Sequence, residues 1–503
     1  MPTRRDVFRL LAATAAGGAA LRLATPALAA SDTLTIALPG DFPRLDPSKD
    51  TSPLGFNFRL NVFDALTEME RNGEVHPRLA TKWSFSPDLT EWTFTLRQGV
   101  TFHDGSPFTA ADVVWTVNRI LKDTTTPVRT FLKIAQGAEA VDDHTVKFKL
   151  VQPYGIFDRQ MTYINMMSKT YFEKAGDKGY DEHPVGTGPY SLVRWVKDDR
   201  TDLKANPNYW NGEPAIKNAV FRPIPSDASR AAALLSGEVD LVPALPPALF
   251  KQLSTSPDLK VGIAPGFRVI FLAFNVNVPP LDNPQLREAI DRAIDRESLT
   301  KNLLRGLGKP TGIMVPPMNI GYDASFKPTP YDPDGARKLV QQSGYNGQPI
   351  KLQYPNNNLV MADQVAQAIA GYLGAVGIKT DLRPMEFTAF FPAWLQDKLE
   401  QAYLFAFGAT SYHAESILTT LYEHGSHGFK IDDRIDRLLK QQRTVTDPTE
   451  QKQLLSEAFR YSNEDRYEIP LYDELQAYGE RKSVNYDPWP DGFVRLYDLK
   501  QAG

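Results

Sequence analysis

Cysteine is absent from this chain of 503 residues. Its absence excludes disulfides, thiolate metal sites and a cysteine nucleophile. It also excludes a lipid-modified cysteine behind a leader, so a lipid anchor is not expected. Long apolar runs are missing too, since no segment after the first 30 residues offers the roughly 20 apolar residues of a membrane span. We therefore expect a mature protein that is soluble.

A strong charge of one sign is the third absence. Lys and Arg number 56 against 60 Asp and Glu, which gives a formal net charge of −4. This balance offers no basic excess for nucleic acid or anionic lipid, so neither is an expected partner. The composition, 42% hydrophobic and 23% charged, is that of a globular protein. The length exceeds that of one compact core and predicts at least two domains.

The N-terminus differs from the rest of the chain. Arg4 and Arg5 open a basic stretch, an Ala-, Gly- and Leu-rich run follows to about Ala24, and small residues surround Ala29. This order is typical of a cleavable signal peptide, and the paired arginines favour the twin-arginine route. We predict a signal peptide over 1–29 and a periplasmic mature protein. The alternatives are the ordinary secretory route or a cytoplasmic N-terminus that happens to contain paired arginines.

Strand and helix patterns interleave through the mature chain. Apolar and polar residues alternate around Trp92 and Phe148, and a continuous apolar run at 269–274 predicts a buried strand. Helices are predicted after Thr109, Asn283 and Asp332, whose side chains suit the N-cap position. The mature chain is therefore predicted to be α/β, with the apolar helix stripes facing the core.

Eight short segments form an ordered set along the mature chain. They are 45–47 (LDP), 75–83 (VHPRLATKW), 92–105 (WTFTLRQGVTFHDG), 109–114 (TAADVV), 184–190 (PVGTGPY), 206–210 (NPNYW), 236–240 (SGEVD) and 287–296 (REAIDRAIDR). This set resembles the bacterial extracellular solute-binding proteins of family 5, which serve ATP-binding-cassette importers of peptides, nickel and opines. On their residues alone, the HDG and GTGP segments are typical of turns and backbone freedom, so we interpret both as structural.

The resemblance implies a fold and a function. The fold is the two-lobed periplasmic binding protein fold (class II, cluster C), with an extra subdomain inserted in the first lobe. Lobe I would comprise 30–66, 184–275 and 473–503, the inserted subdomain 67–183, and lobe II 276–472, with hinge strands near Phe274 and Tyr472. The protein would capture a small solute, most simply a peptide, between its lobes and deliver it to an inner-membrane permease. A monomer that needs no cofactor is expected.

The resemblance also points to a ligand-binding loop in lobe II. In peptide-binding relatives this loop carries an aspartate that pairs with the ligand's α-ammonium, and Thr410 aligns with it here. A hydroxyl can only hydrogen-bond, so Glu415 would have to replace the carboxylate if the loop is shifted. Otherwise the ligand lacks a free N-terminus, as an opine or oligosaccharide does. Tyr412 and His413 complete the polar candidates of this loop.

Other candidate ligand contacts are aromatic or basic side chains near predicted strand ends. Aromatic residues commonly line apolar clefts, and an arginine beyond a strand could face an anion. These candidates are Phe56, Tyr354, Arg383, Trp394 and Phe407. For each of them, the competing interpretation is an ordinary core or surface position.

A metal chelate is an alternative ligand, since His424, His427 and His413 lie within 15 residues of one another. We nevertheless predict no resident metal, because the two close histidines stand among glycines, as in a flexible loop. An exported hydrolase is a more distant alternative. The chain has no complete nucleophile elbow, phosphate loop, dinucleotide fingerprint or metalloprotease motif, so we expect no enzyme.

Overall fold

The computed structural model describes residues 33–409, 411–426 and 429–501. The predicted signal peptide, Thr410 and His427 lie outside the described residues. Within them, no helix combines the length and the apolar character that crossing a bilayer requires.

The strands, in chain order, are Thr33–Leu38 (β1), Thr67–Met69 (β2), Val75–Pro77 (β3), Ala80–Phe85 (β4), Glu91–Leu96 (β5), Ala135–Asp142 (β6), Thr145–Leu150 (β7), Tyr190–Val196 (β8), Arg200–Ala205 (β9), Asn218–Pro223 (β10), Leu241–Val242 (β11), Leu259–Phe274 (β12), Gly308–Pro310 (β13), Ile350–Pro355 (β14), Thr380–Met385 (β15), Ala402–Gly408 (β16), Glu468–Arg481 (β17), Val484–Asn485 (β18) and Lys500–Gln501 (β19).

The α-helices are Pro53–Val62 (α1), Ala110–Lys122 (α2), Arg129–Leu132 (α3), Phe157–Gln160 (α4), Lys169–Glu182 (α5), Asp227–Ser236 (α6), Pro247–Leu253 (α7), Pro284–Ala293 (α8), Arg296–Ser298 (α9), Pro333–Gln342 (α10), Ala362–Ala375 (α11), Phe387–Leu395 (α12), Glu415–Tyr422 (α13), Asp433–Gln442 (α14) and Pro448–Asp465 (α15). Short 3₁₀ turns occur at Met161–Tyr163 and Leu496–Asp498, and a π-helical turn at Leu299–Leu303.

One sheet extends through both lobes. Its strand order is β15-β14-β16-β12-β17-β11-β1-β10-β9-β8, with β13 paired to β17 at the side. The long antiparallel strands β12 and β17 lie in the middle. At one end β12 pairs with β16 over 268–274, and at the other end β17 pairs with β11 at 479–480. These two strands therefore continue from one lobe into the other.

The register of β12 against β17 is interrupted where the lobes meet. The pairing jumps from Pro265 opposite Leu475 to Val269 opposite Asp473, which leaves a bulge at 266–268. Arg268 and Glu474 form an ion pair beside the bulge, with 2.5 Å between Arg268 Nη2 and Glu474 Oε1. The domain boundaries given above remain predictions. The register supports a change of lobe in β12 at 265–269, earlier than 275, because 268–274 already pair with β16.

The inserted subdomain has a sheet and a core of its own. Its four strands have the order β4-β5-β7-β6. Trp92, Phe94 and Phe148 alternate inward from β5 and β7 and pack against α2 and Phe157. Lobe II contains two further apolar clusters, one on each face of its sheet. The subdomain and lobe II therefore do not share one continuous hydrophobic core.

The helix starts predicted from the sequence are confirmed. Asp112 Oδ2 accepts from Thr109 N at 3.0 Å, so the acidic half of the capping box forms at the start of α2. Asn283 Oδ1 accepts from Gln285 N at 2.9 Å, and Asp332 Oδ1 accepts from Gly335 N at 2.8 Å. These short-range contacts could be read from the chain because both partners lie within three residues of each other.

The HDG and GTGP segments pack directly on one another. His103 N donates to Gly186 O at 2.9 Å, and His103 Nε2 bonds Gly188 O at 3.0 Å. Gly186 N donates to Nδ1 of the same ring at 3.3 Å, which fixes the neutral tautomer with its proton on Nε2. Burial lowers the pKa of His103, in keeping with a neutral ring. Both segments therefore have a structural role.

Gly186 leaves no room for a side chain, and this generates a prediction. A Cβ at position 186 would lie 2.1 Å from Val62 O, at the end of α1. Gly186→Ala should destabilise the protein by about 1–3 kcal/mol, because the backbone would have to move apart. Urea unfolding measures the change.

Gly371→Ala is the matched control. This glycine lies within α11 and has no atom within 4 Å of the added Cβ position. Alanine there should leave stability unchanged or raise it by up to about 1 kcal/mol, since glycine is a poor helix former. Equal stability of the two variants would contradict the close-packing explanation.

Candidate ligand-binding site

A cavity of about 390 Å³ lies at the junction of lobe I, the inserted subdomain and lobe II. Lobe I contributes α1 and the loop between β18 and β19. The subdomain contributes the β2–β3 hairpin and residues 162–165, and lobe II contributes Tyr412. Its wall includes Phe56, Asp64, Glu68, Glu70, Arg71, Arg78, Tyr163, Tyr412, Trp489, Asp491, Phe493, Arg495 and Asp498. A cavity of this size is at the small end of ordinary ligand pockets.

Asp64 is the buried centre of one wall. Its Oδ1 accepts from Arg78 Nε at 2.8 Å and from Tyr209 OH at 3.1 Å. Its Oδ2 accepts from Thr187 Oγ1 at 2.9 Å and from Trp210 Nε1 at 3.0 Å. Four donors from three separate segments therefore satisfy one carboxylate.

Arg78 is held against this carboxylate. It also contacts Glu68 and donates to Tyr209 OH at 2.6 Å. Burial lowers the pKa of Arg78, but the carboxylates of Asp64 and Glu68 and the Tyr209 hydroxyl outweigh burial and hold the pKa well above its usual range. The guanidinium is thus a fixed positive charge on the cavity wall.

The opposite wall is built around Trp489. Its indole ring lies between two guanidinium groups, with Arg495 3.9 Å and Arg71 4.4 Å from the ring centroid. Arg495 forms a bidentate ion pair with Asp491, at 2.6 Å for the shorter contact. Trp489 Nε1 donates to Asp498 Oδ2 at 2.8 Å. The wall is therefore rigid and carries paired charges.

Tyr412 closes the cavity from lobe II. It adopts a left-handed backbone conformation with φ +48°, and only 1% of its surface is exposed. Its carbonyl accepts from Ile320 N at 2.9 Å, which ties its loop to the segment before α10. Burial raises the pKa of Tyr412, and the opposed charges of Asp491 and Arg495 act on its hydroxyl. A residue of lobe II thus faces an ion pair of lobe I.

The structure brings two of the nine predicted site residues together at this cavity, Phe56 and Tyr412. Phe56 stacks on Phe493, with ring centroids 5.0 Å apart. Thr410 falls outside the described residues. The remaining six do not line the cavity: Tyr354, Arg383, Trp394, Phe407, His413 and Glu415. A ligand-binding role for any of the nine stays a prediction.

The six residues away from the cavity have partners within the protein. Tyr354 OH donates to Asp363 at 2.9 Å, and Arg383 pairs with Asp381 at 2.6 Å on an edge strand. Trp394 Nε1 donates to Tyr403 OH at 3.1 Å, and the Phe407 ring packs 6.5 Å from the Trp394 ring. These contacts are those of core or surface positions.

Glu415 and His413 are buried beside the loop of Tyr412. Arg443 Nε pairs with Glu415 Oε1 at 2.5 Å, and Tyr154 OH donates to Glu415 Oε2 at 3.2 Å. Glu415 is therefore already neutralised by a guanidinium and has no carboxylate oxygen to offer an ammonium group. His413 is fully buried, and its Nδ1 accepts from Glu415 N at 3.2 Å.

The histidines give no metal site in the described part of the chain, where no cluster of three or more potential ligands occurs. His424 bonds Asp433 at 2.8 Å, and His413 Nε2 lies 3.5 Å from Gln451 Oε1. A metal-chelate ligand stays an untested alternative.

Sequence reasoning missed most of the cavity wall. Arg78 lies within the VHPRLATKW segment, so that motif could have indicated Arg78 as a candidate site residue. Asp491 and Arg495 have no such signal, because only the fold places them on the same cavity wall as Asp64 and Arg71, which lie more than 400 residues away along the chain. Trp489 likewise stands in a stretch without periodicity.

Two lobes joined by continuous strands around a polar cavity define a ligand-binding protein of the two-lobed class. A family model for bacterial extracellular solute-binding proteins, family 5, matches residues 74–429. The chain belongs to this family, the solute-binding components of ATP-binding-cassette importers. Proteins of this family bind small ligands such as peptides and deliver them to membrane permeases.

Relatives and solved structures agree with this assignment. Glutathione-binding protein GsiB of Salmonella typhi is 33% identical over 368 residues, which is 72% of this chain and 71% of the relative. HbpA2 of Haemophilus parasuis has the same fold, with a TM-score of 0.83 at 22% identity, covering 93% of this chain and 100% of that one. The periplasmic binding protein DppA of Helicobacter pylori, solved with the peptide STSA, gives a TM-score of 0.78 at 25% identity, covering 93% and 98%. GsiB and DppA are binding proteins rather than enzymes.

The buried imidazole of His413 gives a pH prediction. Burial lowers its pKa from 6.5 to about 3, with the positive charge of Arg159 acting in the same direction. The unfolded chain takes up a proton below pH 6.5 that the folded protein refuses until about pH 3. This site alone should therefore lower the free energy of unfolding by about 1.4 kcal/mol per pH unit as the pH falls through that window.

The measurement is urea unfolding at pH 7, 6, 5 and 4. His413→Asn keeps an acceptor near Glu415 N but cannot titrate, so the slope of stability against pH should decrease by about one proton. The same substitution at exposed His183 is the control for the loss of an imidazole. An unchanged slope in His413→Asn would show that the ring is not held neutral.

Proposed function

We propose that this protein captures a short peptide or peptide-like solute in the cavity under Tyr412 and delivers it to a membrane permease. The observation that carries the proposal is the cavity wall, in which paired charges and stacked rings of lobe I face a tyrosine of lobe II. Peptides carry charged ends and several amide groups, and such groups need fixed polar partners when they are buried.

The charges of the wall support a ligand with a free amino group. Five carboxylates and three guanidiniums line the cavity among the described residues, a formal excess of two negative charges. Arg78 and Arg495 are each paired with carboxylates. Within the described residues the Glu70 carboxylate forms one ion pair, with His76 Nδ1 at 4.0 Å, so it is available to an incoming cation. This acidic excess would compensate for a threonine at position 410, where peptide-binding relatives hold an aspartate.

Glutathione is the first ligand to test, because relatives that are 33% identical to this chain over 368 aligned residues are glutathione-binding proteins. It is a tripeptide with a free α-amino group, for which Glu70 is the candidate partner, and with two carboxylates, which would need the guanidiniums of the cavity wall. Opines, oligosaccharides and metal chelates are the alternative ligands.

Export and the absence of catalysis belong to the same proposal. The basic, apolar and small-residue order of 1–29 supports a cleavable twin-arginine signal and a periplasmic location, and the absence of cysteine supports a protein without a lipid anchor. A monomer belongs to the same proposal. No step of bond making or breaking is proposed, and the ligand should leave unchanged. Chromatography of the ligand after prolonged incubation checks this, and any product would revive the hydrolase alternative.

The ligand experiment is a thermal-shift screen followed by calorimetry on the mature protein. The panel contains glutathione, a tripeptide, its N-acetylated form, an opine, an oligosaccharide and a nickel chelate. A ligand that binds only the folded state adds about 2.7 kcal/mol at 100 times its Kd and raises the Tm. We expect shifts with glutathione or the free tripeptide and smaller ones with the acetylated form. Shifts with opine or sugar alone would refute the peptide proposal.

Glu70 provides the matched variant. Glu70→Gln should raise the Kd of an amino-bearing ligand about two- to fivefold at low salt and less at high salt, because a partly exposed charge is screened. Glu139→Gln makes the same change on an exposed strand of the inserted subdomain and should leave the Kd unchanged. Equal effects of the two variants would remove Glu70 from the site.

A further inference from the structure

The segment 154–160, in the inserted subdomain, contacts lobe II outside the cavity. Gly155 N donates to Arg443 O at 2.8 Å, and Arg159 Nη1 donates to Ser411 O at 2.8 Å. Tyr154 OH donates to Glu415 Oε2 at 3.2 Å. Three hydrogen bonds therefore join this short segment to lobe II, at Ser411 before α13, at Glu415 in the first turn of α13 and at Arg443 just after α14.

The Arg159 contact joins a buried guanidinium to a backbone carbonyl of lobe II. The residue is 5% exposed, and within the described residues its guanidinium forms no ion pair, although the charge of Asp158 acts on it. Its Nη1 also lies 3.0 Å from Met69 Sδ on β2. A buried guanidinium needs its hydrogen bonds, because leaving it unsatisfied costs more than losing a neutral bond. The carbonyl of Ser411 is therefore its principal acceptor, and this residue directly precedes Tyr412.

The Gly155 contact is a close fit of two backbones. A Cβ at position 155 would lie 2.2 Å from Val445 O, which also accepts from Gln451 Nε2 at 2.6 Å. The receiving segment is fixed on its own side, since Arg443 is paired with Glu415 and contacts Glu423. Both surfaces are therefore organised before they meet.

The two sides of this contact belong to different cores. Tyr154, Ile156 and Phe157 pack in the core of the inserted subdomain. Ile417 and Leu439 pack in the core of lobe II. Since the cores do not merge, the polar contacts can separate without exposing the interior of either body. This is the arrangement that a reversible interface requires.

We infer that the segment 154–160 is a latch that holds the lobes closed and positions Tyr412 over the cavity, with Arg159 as its principal positioning residue. Opening by rotation about β12 and β17 would break all three contacts together. The latch contributes to closure whether or not ligand is present, because none of its polar contacts involves a cavity-lining group other than Met69.

The latch would affect ligand retention because it changes the fraction of molecules that are in the closed form. The apparent Kd of a ligand that is bound by the closed form equals its intrinsic Kd divided by the closed fraction. Weakening the latch should therefore weaken binding and speed dissociation while the cavity wall stays intact. This part of the inference rests on the proposed function, whereas the closure itself can be measured without any ligand.

The absence of cysteine permits a direct test. Glu139→Cys in the subdomain and Lys338→Cys in lobe II place spin labels at two exposed positions, and pulsed dipolar spectroscopy gives their distance distribution. In the ligand-free protein, Arg159→Met should shift the distribution to longer distances and lower the closed-to-open ratio about tenfold, the value of one hydrogen bond to a charged group. Arg337→Met, at an exposed arginine of lobe II, should leave the distribution unchanged.

Gly155→Ala is the second variant and removes no charge. It should shift the distance distribution in the same direction while the subdomain and lobe II keep their folds, as far-ultraviolet circular dichroism and urea unfolding would show. Arg159→Lys, which retains the charge, should restore part of the closed population. Identical distributions in the parent, Arg159→Met and Gly155→Ala would overturn the latch.

Glutathione is the probe for retention. Its dissociation from Arg159→Met should be faster than from the parent in stopped-flow measurements. If glutathione does not bind the parent at all, the proposed ligand fails, but the distance distributions still decide the latch. If it binds with equal dissociation rates while the distances shift, the assignment of Arg159 to ligand retention is wrong.

Discussion

The buried carboxylate of Asp64 is the contact on which the site depends. It accepts hydrogen bonds from Arg78, Thr187, Tyr209 and Trp210, which come from three separate stretches of the chain. A buried carboxylate is stable only when it is paired and hydrogen-bonded, so losing any one donor would weaken the whole group of contacts. Through it the end of α1, the GTGP segment and the region before β4 are fixed against one another, and the cavity wall becomes rigid.

The cavity wall of lobe I is rigid, whereas the inserted subdomain and lobe II can separate from each other. Strands β12 and β17 connect lobe I to lobe II without interruption in the chain, but their register changes at the bulge of 266–268. The apolar cores of the subdomain and of lobe II stay distinct, and polar contacts bridge them. Such a construction allows two bodies to move as units, because the cost of opening is a few hydrogen bonds rather than a hydrophobic core.

Two buried carboxyl groups on β17 make the stability of the folded protein depend on pH. Burial raises the pKa of Glu468 to about 8 and that of Asp473 to about 7. Their folded forms retain protons that the unfolded chain loses above about pH 4, so they favour folding less as the pH rises towards those values. His413 and His103 act in the opposite sense at acid pH.

The features of the fold that depend on short-range contacts could be predicted from the sequence. The caps at Thr109, Asn283 and Asp332 form between residues at most three apart, and the alternation around Trp92 and Phe148 places their side chains in the core. The family and the two-lobed fold could also be predicted, because motifs in order along the chain constrain the whole architecture. Phe56 and Tyr412 were candidates because aromatic residues commonly line ligand clefts.

The remaining cavity residues were decided by tertiary structure alone. Glu415 looked available in the sequence, yet the fold places Arg443 against it, 28 residues further along the chain. Asp491 and Arg495 have no local signal, yet they face Tyr412 because α1, the C-terminal segment and lobe II meet there. The chain by itself thus determined which elements form and which family they build. Which charges remain free for a ligand depends on long-range pairing, and no local pattern encodes such pairing.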